Sequence, residues 1–322
     1  MSANEVLDRL SKIATVKEKE LLSHHVTIRI GGAADGYVIA RNLACLREIL
    51  KIVYDSGVDF VVAGAGSNLI FKDGGFSGLV IENFNAKGGA DDSALKIQEE
   101  PDGSYLVKVE SGIPLARLAY FVSRKGLAGL EWAVGIPGTV GGACVNNAGA
   151  HGGSLSGVLE SLCVVEAGDA AKEIPAADMD YDYRYSNLRY KWREQGYRPV
   201  VLGATLRLHK ESPDALQKRI MMYGARRRSS QPSQPSCGSM FKNPPSHPAG
   251  WLVEQVGLKG TRIGDAQISS RHGNFVVNRG HAAYADVSKL MSLAKEKVLE
   301  GFGISLEEEV EVLGKNGDEP KA

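Results

Sequence analysis

A chain of 322 residues is too long for one small hydrophobic core, so two or three domains are expected. Lys+Arg and Asp+Glu each number 38, for a formal net charge of zero, which argues against a dedicated nucleic-acid or membrane-surface binder. No apolar run reaches transmembrane length, the N-terminus carries no signal-peptide pattern, and the 4 cysteines and 7 histidines follow no metal-ligand spacing; the expectations are a reducing cytoplasm, no membrane, no nucleic acid and no metal.

In chain order, residues 3–20 predict an amphipathic helix with Val6, Leu7, Leu10 and Ile13 on one face. HHVTIRIGG alternates and stops at Gly31-Gly32, the pattern of a strand ended by a glycine turn. Leu43, Leu46, Ile49, Leu50 and Val53 mark a helix. VDFVVAGAGSN reads as a buried strand running into a glycine turn, and GLVIE as another strand. Residues 85–104 read as loop or hairpin. SYLVKVESG predicts a strand, and Pro114 a helix carrying Leu115, Leu118 and Val122.

The stretch GIPGTVGGACVNNAGAHGG, Gly135 to Gly153, has too many glycines for a helix or strand interior. LESLCVVEAG and PVVLGATLRLH follow as strands. SPDALQKRIMMYGARRR opens a helix with Ser212 as N-cap, Pro213 at the first helical position and Asp214 in the first turn. QPSQPSCGSMFKNPP is a Pro/Ser-rich loop, AGWLVEQVGLKG a short helix closed by Gly257, and HGNFVVN a strand. Asp286 caps a helix through Val287, Leu290, Met291 and Val298 that ends near Gly301. LEEEVEVLG is the last strand, and residues 314–322 are polar and frayed. The mixture is α+β or α/β.

Two segments have the composition of phosphate-binding loops: AGAGSN, Ala63 to Asn68, and the glycine-rich stretch at 135–153. Glycine amides approach an anion without Cβ interference. GxGxxG and GxxxxGK[ST] are both absent, which disfavours a Rossmann or P-loop site. The alternative for either loop is a tight turn that packs a helix on a sheet. Two such loops in one chain, the second carrying Asn146-Asn147 and no charge, point to a dinucleotide.

TIRIGG (27–32), AGAGSNLIF (63–71), GLEWAVGIPGTVGGACVNNAGAHG (129–152), YDYRYS (181–186), RRRSSQP (226–232), SCGSMFKNP (236–244), RIGDAQISSRHGNFVVN (262–278) and LEEEVEVLG (306–314) occur in one order. In that order they resemble the UDP-N-acetylenolpyruvoylglucosamine reductases, the MurB flavoenzymes, from about Leu22 to Gly314. Without an insertion between CGSMFKNPP and AGWLVEQVGL, the chain is similar to the shorter, type II form.

The resemblance implies an α+β architecture: a two-subdomain FAD-binding fold of the PCMH/vanillyl-alcohol-oxidase type plus a C-terminal substrate-binding α+β domain. The implied division is 1–84 for FAD subdomain 1, 85–210 for subdomain 2, and 211–303 for the substrate domain, with a C-terminal strand in 304–322 returning to subdomain 2. It implies non-covalent FAD held by Gly64, Ala65, Gly66, Ser67, Asn68, Gly135, Gly138, Thr139 and Gly142. His151 is then not a flavin attachment point. Tyr37 and Trp132 either pack the cofactor or belong to the core.

The implied reaction has two halves. NADPH reduces the flavin, and the flavin then passes hydride to the vinyl carbon of a UDP-linked enolpyruvyl-GlcNAc. Charge builds on the neighbouring carbon and its carboxylate, and a proton completes the product. Arg184 in YDYRYS matches the family's arginine, which meets that charge; otherwise it is a surface ion pair or a tyrosine-stacked arginine. Ser239 in CGSMFKNP matches the serine acid; otherwise it is a turn residue. Glu309 matches a second donor; otherwise it is an exposed strand carboxylate on the face shared by Glu307 and Glu311.

Asn243 matches a residue that contacts the UDP diphosphate, and is otherwise an Asn-Pro turn; Arg226 matches a basic, substrate-binding position of the shorter form, although a lysine of some relatives near this point is Ser230 here. Cys237 is structural, because no base is placed beside it. A monomer is expected. An FAD oxidase of the same fold and a silent nucleotide-sugar or flavin binder are the competing readings, and Arg184, Ser239 and Glu309 in their motifs argue against both.

Overall fold

The computed structural model describes residues 3–85, 94–166, 170–189 and 198–314. The centre of the expected 85–104 hairpin and most of the expected frayed tail lie outside the described residues. The chain divides into two compact units, one of residues 1–17, 37–65 and 79–226, the other of residues 18–36, 66–78 and 227–322.

The first unit is built on an antiparallel sheet. Its central strand, Val200–Lys210, lies between Leu159–Val165 and Ser104–Glu110. Lys172–Pro175 and Leu95–Glu99 extend the sheet on either side, and Leu127–Ala128 pairs with the end of the central strand. The helix Leu115–Arg124 places Leu115, Leu118, Ala119 and Val122 in one core with Val107, Leu206 and Leu208. This is the i, i+3, i+4, i+7 stripe of an amphipathic helix.

A second core of this unit joins Val6, Leu7 and Leu10 to Leu46, Ile49, Leu50 and Val53 of the helix Leu43–Ser56. That helix is bounded by chemistry legible in the sequence. The Asn42 side chain accepts the Cys45 amide, and Gly57 ends the helix in the left-handed region. Phe60–Ala63 runs parallel to Phe76–Glu82, pairing with its residues 79–82, and ends at the first glycine loop.

The second unit holds the antiparallel strands Arg262–Ile263, Ala266–Ile268 and Val276–Asn278, with the helices Ala249–Gln255 and Tyr284–Phe302. Its C-terminal strand Glu311–Leu313, expected to return to residues 85–210, runs parallel to Leu69–Phe71 instead.

Four local expectations are corrected. The first helix is Ala3–Ser11, followed by a strand at Thr15–Glu18. β-Branched Thr15 and Val16 favour extended chain, and Ile13 is 37% exposed although its helical partners are buried. HHVTIRIGG is not a strand: Leu22–His24 form a 3-10 turn, and Arg29 and Gly31 take positive φ. Val26, Ile28 and Ile30 are buried all the same, so their alternation reports burial without a ladder.

The glycine-rich stretch does contain a helix, Val140–Val145. The Thr139 side chain caps it, and tertiary contacts support what glycine propensity alone would not. Finally, the helix Tyr284–Phe302 has Asp286 inside its first turn, where its carboxylate accepts the Ala283 amide, and Gly303 ends it.

Candidate active site

In the first unit the two glycine loops meet. A Cβ on Gly64 would stand 2.5 Å from Thr139 Oγ1. Part of the second loop is committed to packing. Val140 and Gly141 donate their amides to Ile113 and Ser111 carbonyls, and a Cβ on Gly153 would stand 2.3 Å from the Trp132 ring. The tight-turn alternative therefore accounts for some of these glycines.

It does not account for all. The amides of Gly64 and Ala65 donate to no group among the described residues. Gly142 is exposed, and a Cβ there would meet only Thr139 Oγ1, at 3.8 Å. Gly135 and Gly138 turn the chain at positive φ on the way in. This glycine-lined cradle fits a dinucleotide phosphate held by backbone dipoles. Asn83 and Ser111, hydrogen-bonded to each other at 2.9 Å, border it. Sequence reading missed both; the turn residues of ESGIP were an available signal for Ser111 alone.

Arg184 sits in the left-handed region, at φ 54°, in a loop stitched to the glycine-rich stretch. Its guanidinium donates to the carbonyls of Asn147, at 3.4 Å, and Gly149, at 2.7 Å, and lies 5.2 Å from the Tyr183 ring centre. Buried Asn147 donates to the Asp182 carbonyl, the Tyr181 hydroxyl to the Cys144 carbonyl, and Ser186 to the Val145 carbonyl. The loop is thus fixed by four side chains before any ligand arrives, which suits a preorganised cation.

His151, also at positive φ, stacks on Tyr223 at 4.5 Å and 9°. Tyr37 and Trp132 are core residues, the Tyr37 hydroxyl bonding Glu82 and the indole N–H bonding the Gly129 carbonyl. Arg226 is exposed on the helix Pro213–Ser230.

In the second unit, Ser239 and Glu309 lie on neighbouring segments. Phe241 and Glu308 form an antiparallel bridge, flanked by bonds from Lys242 N to Glu307 O and from Glu309 N to Met240 O. The Ser239 hydroxyl is half-buried and has no partner among the described residues. Glu309 precedes the strand Glu311–Leu313, so the shared strand face expected of Glu307, Glu309 and Glu311 does not exist.

Asn68 joins this group. Its side chain donates to the Glu309 carbonyl at 3.2 Å, and its own carbonyl accepts the Glu311 amide. Gly66 packs against His25 and Val26, where a Cβ would stand 2.4 Å from a carbonyl, and Ser67 follows it. Asn243 is exposed, its Oδ1 accepting the Ala249 amide at the start of the helix Ala249–Gln255. Cys237 is buried with its thiol pushed up to about 12, as expected of a structural residue.

Residues 34–168 match the family described as FAD binding domain. An α+β chain with that domain and a glycine cradle shaped for a dinucleotide is a flavin-dependent oxidoreductase. Residues 231–313 match the C-terminal domain of UDP-N-acetylenolpyruvoylglucosamine reductase. A reductase of that name from Synechococcus sp. (strain JA-3-3Ab) is 42% identical over 91% of this chain and 89% of its own. Another, from Nostoc punctiforme, is 40% identical over 97% and 90%. The crystal structure of the Thermus caldophilus MurB superposes with a TM-score of 0.75 at 31% identity, covering 93% of this chain and 99% of that one. The chain belongs to the UDP-N-acetylenolpyruvoylglucosamine reductase family.

Proposed function

We propose that the protein reduces UDP-N-acetyl-3-O-(1-carboxyvinyl)glucosamine to UDP-N-acetylmuramate in peptidoglycan precursor synthesis, with NADPH as reductant, as a cytoplasmic monomer without nucleic-acid partners. The division is FAD subdomains at 1–84 and 85–210 and a substrate domain at 211–303. Gly64, Ala65, Gly66, Ser67, Asn68, Gly135, Gly138, Thr139 and Gly142 hold FAD non-covalently. Bound FAD supplies the hydride that NADPH has delivered to it.

Arg184 grips the enolpyruvyl carboxylate and meets the charge that builds there. Its fixed loop keeps the cation from having to reorganise as that charge develops. Ser239 hands its hydroxyl proton to the carbon, and Glu309 donates to the enolate. Arg226 and Asn243 bind the substrate, Asn243 at the diphosphate.

The observation that carries this reading is the pairing of the segments bearing Ser239 and Glu309, with the serine hydroxyl left without a protein partner among the described residues. A hydroxyl with no partner of its own can turn to a substrate atom. The test is a visible spectrum of the purified protein, then with anaerobic NADPH, then with the enolpyruvyl substrate. Yellow colour that bleaches with NADPH and returns only with substrate is expected. Return of colour only in air would move the activity to an oxidase, and a colourless protein that cannot be reconstituted would remove the cofactor.

A further inference from the structure

We propose that Asn274 is the positioning residue that aims Ser239 during proton delivery; this rests on the role just given to Ser239. Asn274 is 3% exposed, and its polar groups are spent on the segment after Ser239. Its Oδ1 accepts the Phe241 amide at 2.9 Å, and its Nδ2 donates to the Phe241 carbonyl at 2.7 Å. Its own carbonyl accepts the Met240 amide at 2.9 Å. Its amide is held in turn by His272 Nδ1 at 3.2 Å.

Met240 and Phe241 are therefore clamped on one side by a single asparagine. On the other side the Met240 carbonyl accepts the Glu309 amide and the Lys242 amide donates to the Glu307 carbonyl, flanking the bridge between Phe241 and Glu308. Ser239 lies one residue upstream, between this clamp and Gly238 at φ 81°. Its own hydroxyl has no partner among the described residues. Its direction is thus inherited from the backbone that follows, and Asn274 fixes that backbone. The carboxamide is suited to this task because it presents an acceptor and a donor side by side, matching the N–H and C=O of one residue.

Replacing the amide by a carboxylate tests the donor half alone. In Asn274→Asp, an ionised carboxylate accepts from the Phe241 amide but faces the Phe241 carbonyl with like polarity. A protonated one donates again. Burial and the carbonyl favour the neutral acid, so the switch falls above the usual carboxylate range. The titratable and charged groups around the site are His272 beside Asn274 with the Lys259–Glu254 pair near its ring, Glu308 across Phe241 with its partner Lys295, the Lys242–Glu307 pair, and Glu309 bonded to Met240. All of them remain in the variant, and the wild-type pH profile controls for them.

The experiment uses FAD-loaded Asn274→Asp and follows both half-reactions anaerobically from pH 5 to 9. NADPH bleaching is expected to stay within about twofold of wild type. Recolouring by substrate should slow on the order of tenfold to a hundredfold at high pH, as misplacement of a reacting group does, and recover towards low pH. Hydrogen exchange at the Met240 amide of the oxidised protein, taken as a ratio to wild type at the same pH, should rise over the same pH range. Ser239→Ala combined with Asn274→Asp should be no slower in recolouring than Ser239→Ala alone, because both act through one hydroxyl.

Where the Asn274→Asp variant yields no folded flavoprotein, Asn274→Ser is measured instead. It should be slow in recolouring at every pH, without acid rescue and with bleaching spared. A pH-flat Asn274→Asp variant, equal loss in both halves, or additive effects in the double variant would overturn the inference and leave the role of Ser239 standing. Unimpaired recolouring in Ser239→Ala would remove that role, and the inference with it.

Discussion

Thr139 occupies the space into which any side chain at position 64 would project, with Oγ1 at 2.5 Å and Cγ2 at 2.9 Å from the Cβ that Gly64 lacks. Gly142, three residues on from Thr139, is the opposite case: a Cβ there would meet only Thr139 Oγ1, at 3.8 Å. Gly64→Ala should therefore lower stability by about 1–3 kcal/mol through overpacking, with flavin lost as well. Thr139→Ala in the same chain should restore part of the stability. Gly142→Ala should leave Tm unchanged or raise it, since alanine is the better helix residue by about 1 kcal/mol, yet weaken FAD binding if ligand fills that space. Thermal melts with and without added FAD separate the two. A Gly142→Ala protein that binds FAD normally would take Gly142 out of the cofactor site.

Arg219 donates to both Glu131, at 2.9 Å, and Glu211, tying the helix Pro213–Ser230 to the turn that precedes the glycine-rich stretch. Glu131 is buried, and its other oxygen accepts the Gly129 amide. Arg219→Met would leave that carboxylate without its cation. Because Arg219 is about a third exposed, water offsets part of the loss, and a Tm drop of roughly 3–8 °C at pH 7 is expected. The hydrogen bond from Arg219 holds the Glu211 carboxyl below its usual value of about 4.5. A depressed folded pKa contributes stability above the unfolded pKa that is lost as pH falls through the folded one. The gap between wild type and variant should therefore be full at pH 7 and narrow below about pH 4. A gap that does not change with pH would remove Glu211 from the account.

The parts of the fold that followed a period were legible in the sequence. Leu46, Ile49, Leu50 and Val53 predict their helix, and they are its buried face. So was the start of the helix Pro213–Ser230, at Ser212 and Pro213. The failures share a physical cause. Val26, Ile28 and Ile30 alternate because each is buried, but the backbone between them turns through Arg29 and Gly31, which a period cannot report.

In the site, motif residues such as Ser239 and Glu309 were found through family resemblance, whereas Asn83 carried no pattern of its own and Asn274, inside RIGDAQISSRHGNFVVN, no assigned role. They matter through hydrogen bonds to residues far along the chain, Asn83 to the Ser111 hydroxyl and Asn274 to the Phe241 backbone, and chain order does not encode such pairings.

Cys237 lies two residues from Ser239 and would be easy to mistake for a nucleophile. Its sulfur is buried against Met240, at 3.6 Å from the thioether, and burial pushes its thiol up to about 12. At pH 8 the thiol is then overwhelmingly protonated. Burial raises the Cys144 thiol as well. A disulfide-exchange reagent on the native protein should spare both, and react with all four cysteines after unfolding. Cys237→Ala should keep both half-reactions within about threefold while lowering Tm by a few degrees through the lost packing. Abolished turnover in a folded Cys237→Ala protein would revive the nucleophile.

Asp73 caps a helix that begins 211 residues later in the chain. Its two carboxylate oxygens accept the amides of Tyr284, at 2.8 Å, and Ala285, at 3.1 Å, the first orphan donors of the helix Tyr284–Phe302. The helix supplies only one local substitute, Asp286, which accepts from Ala283. The turn bearing Asp73 is held in place by its neighbours, with the Gly32 amide donating to the Lys72 carbonyl and a Cβ on Gly32 blocked at 2.2 Å by the Asp73 carbonyl. Asp73→Ala removes two hydrogen bonds and the favourable charge at the helix start, and should cost about 1–2 kcal/mol. Asp73→Asn keeps one acceptor and loses the charge, so its cost should be smaller and should shrink as salt is raised. Melts at two ionic strengths test this. A salt-independent Asp73→Asn effect would leave hydrogen bonding alone as the source of the cap, and an Asp73→Ala protein as stable as wild type would show that solvent satisfies those amides equally well.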